Sequence, residues 1–297
     1  MFIDRFGITY LVRTFYFYTD KDTPNYLEAP KYYKFRLLPN VFCGKYIHSN
    51  YLYWILKNNN IENIQLLHKN GCVDKEDIVF FHYDFKEDVQ EFNCKKIQIV
   101  SDRPHVDFAD YYCVNYKQNV NEFLLDEPIP NGLTVKTPSF PPSHFHTNLA
   151  SHHIDKSLKN IVGKYSDINI TFETNAHVTD YNFDVFFFLR NYEYINEEEK
   201  LINKITPNNL KHASRLLQSW IMEVPAILTP EKAMKYYVKS ELDFLAANNI
   251  DEFIFHAYRL RQDKELFYAI MDNAKKRKKE ISHNIIVNQF KSIIQSI

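Results

Sequence analysis

Glu231 closes a short apolar run, Ala226-Ile227-Leu228, that lies between Pro225 and Pro230. A carboxylate at the carboxyl end of a buried strand is an acceptor for ribose hydroxyls, because α/β folds hold their ligands at that end. Upstream, Ala213, Leu216, Leu217, Trp220 and Ile221 recur at the spacing of one helical face, which predicts an amphipathic helix over 210–222. Pro225 stops it by about Val224. Pro207, Asn208 and Asn209 stand before the helix, so its free backbone N–H groups and positive dipole end are available to an anion. Lys211 and Arg215 add charge at the same end, and together these groups make a diphosphate site. Arg190 directly follows the apolar run from Asp184 to Leu189, where a guanidinium can pair with a phosphate. The ordinary alternatives are two solvated cations, a capping acid and a strand-end charge.

Titratable groups in the first half sit in the same kind of position. Asp102, in IVSDRP, follows the apolar run Ile97 to Val100 and precedes Pro104 and His105, which makes it the first candidate for a general base. His48 and His105 are the next candidates, with His82 and Asp84 behind them.

The elements that must position these groups alternate between strand and helix. Strands are expected over 9–18, 63–68, 77–83, 96–100 and 111–115, with a helix over 50–58 behind a Ser49 cap. The run Ile78-Val79-Phe80-Phe81 is apolar on both faces, as parallel strands are. Further on, the pattern predicts a helix over 157–165, strands over 168–172, 183–189 and 242–246, and helices over 251–260, 263–279 and 281–297. This is an α/β chain with doubly wound parallel sheets. Residues 1–125 form the first domain, 126–153 a proline-rich linker and 154–280 the second domain. Residues 19–44 read as a long loop for a second substrate or as a cover. His144, His146, His152 and His153 read as solvated linker histidines, not as a metal set. The basic run from Lys275 to Glu280 closes a helix, where cations complement the dipole, in preference to touching lipid or nucleic acid.

Composition excludes several classes. With 36 Lys and Arg against 37 Asp and Glu, the net charge of -1 disfavours nucleic acid as a partner. Only five glycines are present, and no G-x-G-x-x-G or Walker loop occurs, which argues against a dehydrogenase or a P-loop nucleotidase. The four cysteines have no CxxC spacing and read as free thiols. No signal peptide and no membrane span is expected, so the expected location is cytoplasmic, with the inner face of the membrane open as a working place.

The series Lys211, Arg215, Leu216, Gln218, Trp220, Val224, Pro225, Ala226, Ile227, Leu228 and Glu231 resembles the segment that lines the sugar-nucleotide site of bacterial GT-B glycosyltransferases. Glu223 departs from the pattern, which has glycine before Val-Pro. The resemblance implies two Rossmann-like domains facing across a cleft, a nucleotide sugar as donor with no metal or other cofactor required, and a C-terminal helix over 281–297 crossing back to the first domain. It implies transfer to a glycan or lipid-linked cell-envelope acceptor, lipopolysaccharide or capsule, by a hexosyltransferase-like enzyme. Donor contacts then fall to Arg190, Lys211, Arg215 and Glu231, and the acceptor is deprotonated by Asp102, His48 or His105. Two rival readings are a non-catalytic nucleotide-sugar binding or assembly protein, and a glucosyltransferase that modifies DNA.

Overall fold

The computed structural model describes residues 2–3, 9–10, 13–20, 47–100, 105–114, 120–126, 134–135, 137–148, 164–173, 180–189 and 213–297. The chain divides into two compact units, Met1–Pro128 with His283–Ile297, and Ile129–Ser282.

The sheet of the first unit has six parallel strands: β1 (Phe15–Tyr18), β2 (Ile64–Leu67), β3 (Ile78–His82), β4 (Lys95–Ile99), β5 (Tyr111–Val114) and β6 (Glu122–Leu124). Their order is β2-β1-β3-β4-β5-β6. Alternation along β3 explains why its apolar run is unbroken. Ile78 and Phe80 join a cluster with Phe15 and Phe17, whereas Val79 and Phe81 join another with Tyr18 and Leu67. The first cluster is covered by helix α1 (Leu52–Asn58) and the second by Val89 of helix α2 (Lys86–Gln90).

The expected strand over 9–18 divides in two. Thr9–Tyr10 pairs antiparallel with Phe2–Ile3, and only Phe15–Tyr18 enters the large sheet. The expected Ser49 cap is not one. Helix α1 emerges from a π-helical turn, Ile47–Tyr51, and the buried Ser49 Oγ donates to Asn50 Oδ1 at 2.8 Å. The strand β6 and helix α2 are short and were not legible as elements.

The sheet of the second unit has five parallel strands: β7 (His144–Asn148), β8 (Asn169–Glu173), β9 (Val185–Phe188), β10 (Ala226–Leu228) and β11 (Leu245–Ala246). Their order is β8-β7-β9-β10-β11. Four helices complete the described chain: α3 (Ser214–Met222), α4 (Ile250–Gln262), α5 (Lys264–Lys278) and α6 (His283–Ser296). Phe253 of α4 stacks on Phe187 with ring centroids 4.4 Å apart, whereas Arg215 of α3 lies over Phe188. Neighbouring residues of one strand point to opposite faces, so α3 and α4 cover the two sides of this sheet.

Strand β7 corrects the reading of 126–153 as linker. Two prolines and two histidines masked it. Asp184 organises the segment by accepting hydrogen bonds from the backbone N–H groups of Ser139, Ser143 and His144 at 2.8, 2.9 and 3.0 Å. His146 is accordingly buried, with its ring stacked on Phe183 at 4.7 Å, and is no solvated linker residue. His152 and His153 lie outside the described residues, as does nearly all of the 19–44 loop.

Helix α6 belongs to the first unit. Its Phe290 packs on Phe80 and Phe17, with ring centroids at 5.2 and 5.6 Å, and Ile286, Val287 and Ile293 join the same core. Gln289 Oε1 accepts from the Asp126 N–H at 2.8 Å, and Arg13 donates to the carbonyl oxygen of Ile297 at 2.7 Å.

Candidate functional site

Both large sheets reverse their winding between the first and third strands, at β1/β3 in the first unit and β7/β9 in the second. At such a point the helices on either side diverge and leave a crevice outside the carboxyl ends of the strands.

In the second unit the carboxyl edge is charged. Arg215, in the first turn of α3, holds its guanidinium 4.7 Å from the centroid of Phe188, the last residue of β9, and donates to Gln218 Oε1 at 3.0 Å. The amphipathic pattern put the apolar stripe of α3 on the sheet, which leaves Arg215 beside it, against the strand end. Glu231 lies just beyond β10 and is only 5% exposed. Phe188 and Leu228 are register partners, and the Thr229 N–H donates to the Phe188 carbonyl at 3.0 Å. The structure therefore places Arg215, reaching from α3 to the end of β9, and Glu231, just beyond the end of β10, at the same edge of the sheet. Arg190 and Lys211 lie outside the described residues, Arg190 two positions after the end of β9.

Sequence reasoning missed what fixes the loop behind Glu231. Asp243 is fully enclosed and accepts from the backbone N–H groups of Lys239 and Ser240 at 2.6 and 2.8 Å, and from Asn273 Nδ2 at 2.8 Å. Arg277 Nε lies 3.1 Å from its Oδ1. The same guanidinium stacks on Trp220 at 4.4 Å, pairs with Glu280 and donates to the Tyr237 carbonyl. Trp220 Nε1 donates to the Asp243 carbonyl at 3.1 Å. This clasp pins residues 237–243 to α3 and α5. The 275–280 run closes the helix as expected, but not as a set of solvated cations throughout, since Arg277 is buried. The signal was present: Phe267, Ile270, Met271, Ala274 and Arg277 share one helical stripe, so Arg277 had to face inward.

Glu223, where the pattern favours glycine, adopts a left-handed conformation with φ 58° and ψ 39°. It is the residue after the helix in a Schellman turn, with the Val224 N–H donating to the Ser219 carbonyl at 3.1 Å. Lys278 Nζ holds its carboxylate at 2.6 Å.

In the first unit the carboxyl edge is polar, with the Asp84 carboxylate 3.6 Å from His82 Nδ1. Thr19 follows β1, His82 ends β3, and both are buried with Ser49 and Asn50 of the π-helical turn, which packs on these two strands. His48 belongs to that turn, so its backbone is brought to the switch point, while its side chain lies outside the described residues. His82 Nδ1 accepts from the Asp84 N–H at 3.2 Å. A neutral His82 then carries its proton on Nε2 and is a donor.

His105 is not at this point. It is exposed and stacks on Tyr112 of β5 at 4.2 Å, two strand spacings, or about 10 Å, from β3. The Tyr112 ring stacked on one face takes part of its hydration away and lowers its pKa, against the opposing field of Glu122, so the ring is neutral near pH 7. Asp102 lies outside the described residues, three positions after β4. Among the described residues no three His, Cys, Asp or Glu side chains gather as a metal set. Burial raises the Cys94 thiol to about 11 and raises Cys113 further, which removes both as thiolate nucleophiles at neutral pH.

No family model matches the sequence, and no curated protein matches it. Solved structures do. Over 96% of this chain and 100% of the other, the fold is similar to Anabaena HepE in complex with UDP and glucose, with a TM-score of 0.59 at 8% identity. The fold is GT-B. A second structure of that fold, an alpha1,3-fucosyltransferase with GDP, aligns over 95% of this chain and 90% of the other, with a TM-score of 0.51 at 12% identity. The chain spans 55% of TarM and 60% of the pneumococcal O-GlcNAc transferase GtfA, both longer proteins. The GT-B fold accounts for two doubly wound sheets in one chain, each with its own switch point.

Proposed function

We propose that the protein is a glycosyltransferase that moves a sugar from a nucleotide donor to a glycan or cell-envelope acceptor such as lipopolysaccharide or capsule. The observation that carries this reading is the placement of Arg215 against the end of β9 and of the buried Glu231 just beyond the end of the neighbouring β10. Its support is chemical. Arg215, Lys211 and Arg190 supply cations for a diphosphate, and Glu231 supplies an acceptor for ribose hydroxyls. HepE, with the same fold, binds UDP and glucose.

In the transfer, the acceptor oxygen forms a bond to the anomeric carbon as the bond from that carbon to the diphosphate oxygen breaks. Asp102, with His48 and His105 as the alternatives, takes the acceptor proton, and the departing diphosphate keeps the bonding electrons. The cations of the second unit stabilise that charge where it develops, which lets the reaction proceed without a metal. Acceptors of this class place the enzyme at the inner face of the cytoplasmic membrane.

The test is a thermal-shift panel of nucleoside diphosphates and nucleotide sugars, followed by titration of the best binder. A selective rise in melting temperature is expected, and Glu231→Gln should weaken that nucleotide about tenfold, close to 1.4 kcal/mol, without lowering the melting temperature of the free protein. A flat panel on folded protein defeats the proposal, and unchanged affinity removes Glu231 from the site.

A further inference from the structure

The sheet of the first unit carries a further histidine at its carboxyl edge, His68, the residue after β2. Alternation along β2 puts Ile64 and Leu66 against the cluster covered by α1, and Leu67 in the cluster covered by α2. Carried past the strand end, it puts His68 on the α1 side and Lys69 on the α2 side. Lys69 Nζ does lie 3.0 Å from Asp88 Oδ1 of α2. On β1, Phe17 belongs to the first cluster and Tyr18 to the second, so Thr19 shares the α1 side with His68. The π-helical turn is on that side too, since its Tyr51 belongs to the first cluster and the turn packs on β1 and β3.

His68 Nδ1 lies 3.1 Å from the Thr19 carbonyl oxygen. A carbonyl oxygen has no proton to give, so Nδ1 is the donor, and a neutral His68 carries its lone pair on Nε2. This is the opposite tautomer to that of His82, whose Nδ1 accepts from the Asp84 N–H and whose proton is on Nε2. The Thr19 N–H donates to the Leu67 carbonyl at 3.0 Å, so the two strand ends that orient the ring are themselves tied together. His68 is half-buried, whereas His82 is closed off from water.

We propose that His68 Nε2 accepts a hydrogen bond from a hydroxyl of a neutral sugar and so positions that sugar at the end of β1. A ring nitrogen that carries a lone pair takes an O–H group and offers nothing to a phosphate or a carboxylate. The Asp84 carboxylate beside His82, at the same carboxyl edge, disfavours anions as well, and Lys69 is turned to the other face, where it pairs with Asp88. Naming the bound sugar as the acceptor rests on the transfer reading. The binding itself does not.

Labelling of the full chain with diethylpyrocarbonate at neutral pH, read peptide by peptide by mass spectrometry, tests this without any donor. The reagent acylates an unprotonated imidazole nitrogen, so His68 should react about tenfold faster than the buried His82. Glucose, galactose and N-acetylglucosamine serve as probes. At least one should slow the labelling of His68 about threefold and leave that of the exposed, neutral His105 unchanged. His68→Asn keeps a donor near the Nδ1 position and loses Nε2, whereas His68→Gln places its amide near Nε2 and gives up the Thr19 contact. The protecting sugar, titrated by ligand-observed NMR, should bind about tenfold more weakly to His68→Asn and within about threefold of normal to His68→Gln. A purely structural role gives the reverse order. An unreactive His68, labelling that none of the three sugars slows, or normal binding by His68→Asn overturns the proposal. Protection of His68 in a protein that no nucleotide stabilises supports the sugar site and defeats the transfer reading alone.

Discussion

The two large sheets share one winding and differ in what they present at its reversal. At β7/β9 and the adjoining β10 the strand ends meet the Arg215 guanidinium, held over Phe188 by α3, and the buried carboxyl group of Glu231. At β1/β3 they carry Thr19, His82, Ser49 and Asn50, buried polar groups with no permanent charge. The backbone makes the same crevice twice and dresses it with different side chains. On the reading proposed above, the anionic donor belongs to the second unit and the hydroxyl acceptor to the first.

The largest expected effect comes from the clasp around Asp243 and Arg277 in the second unit. Asp243→Ala leaves the Arg277 guanidinium buried without its enclosed partner, which should lower the stability of the protein by about 3 kcal/mol in urea denaturation. A loss under about 1 kcal/mol would mean that Glu280 and Trp220 hold Arg277 unaided, and that the Glu231 loop does not depend on Asp243.

Asp102→Asn sharpens the assignment of roles. It should leave donor affinity unchanged and lower turnover about a hundredfold, near 2.7 kcal/mol of barrier. Near-normal turnover in Asp102→Asn with a loss in the corresponding His48→Gln variant would move the base to the β1/β3 switch point, where the structure brings the turn that carries His48.

A smaller effect is expected at the turn after α3. Glu223→Gly relieves the left-handed strain and should stabilise the protein by about 1 kcal/mol, less a few tenths for the half-exposed ion pair with Lys278. A fall in melting temperature would show that the ion pair outweighs the strain.

Acid should weaken the segment that leads into β7. Burial opposes ionisation of Asp184, but hydrogen bonds from Ser139, His144 and Ser143 more than offset it and hold its pKa below the ordinary 3.8. The unfolded chain binds this proton more readily. The stabilisation is therefore complete above about pH 4 and is lost as pH falls through the native value. Asp184→Asn should flatten that part of the stability profile, and an unchanged profile would exclude Asp184 as its source.

Much of the second unit's carboxyl edge was legible in the sequence because short-range rules govern it. Pro225 and Pro230 bound a strand too short and apolar to be anything but buried, and the 3.6-residue period of Leu216, Leu217 and Trp220 orients α3 and so places Arg215. The glycine expected at 223 came from the resemblance, and the left-handed helix end gives its physical reason. Arg277 could have been read from its own stripe, had the lysines around it not suggested a uniformly solvated run.

What required the tertiary structure was every pairing between distant segments. His144–Asn148 is a strand because Asp184, some forty residues on, gathers the amides before it. His82 and the turn of His48 meet because β1 and β3 are neighbours in the sheet though not in sequence, and His105 is drawn away to Tyr112 two strands further along. Residues 283–296 complete the core of the first unit from the far end of the chain. Local sequence fixes helix and strand through steric and solvent preferences within a few residues. Which strand ends lie side by side, and hence which groups share a site, is decided by the burial of whole faces, a property of the assembled sheet.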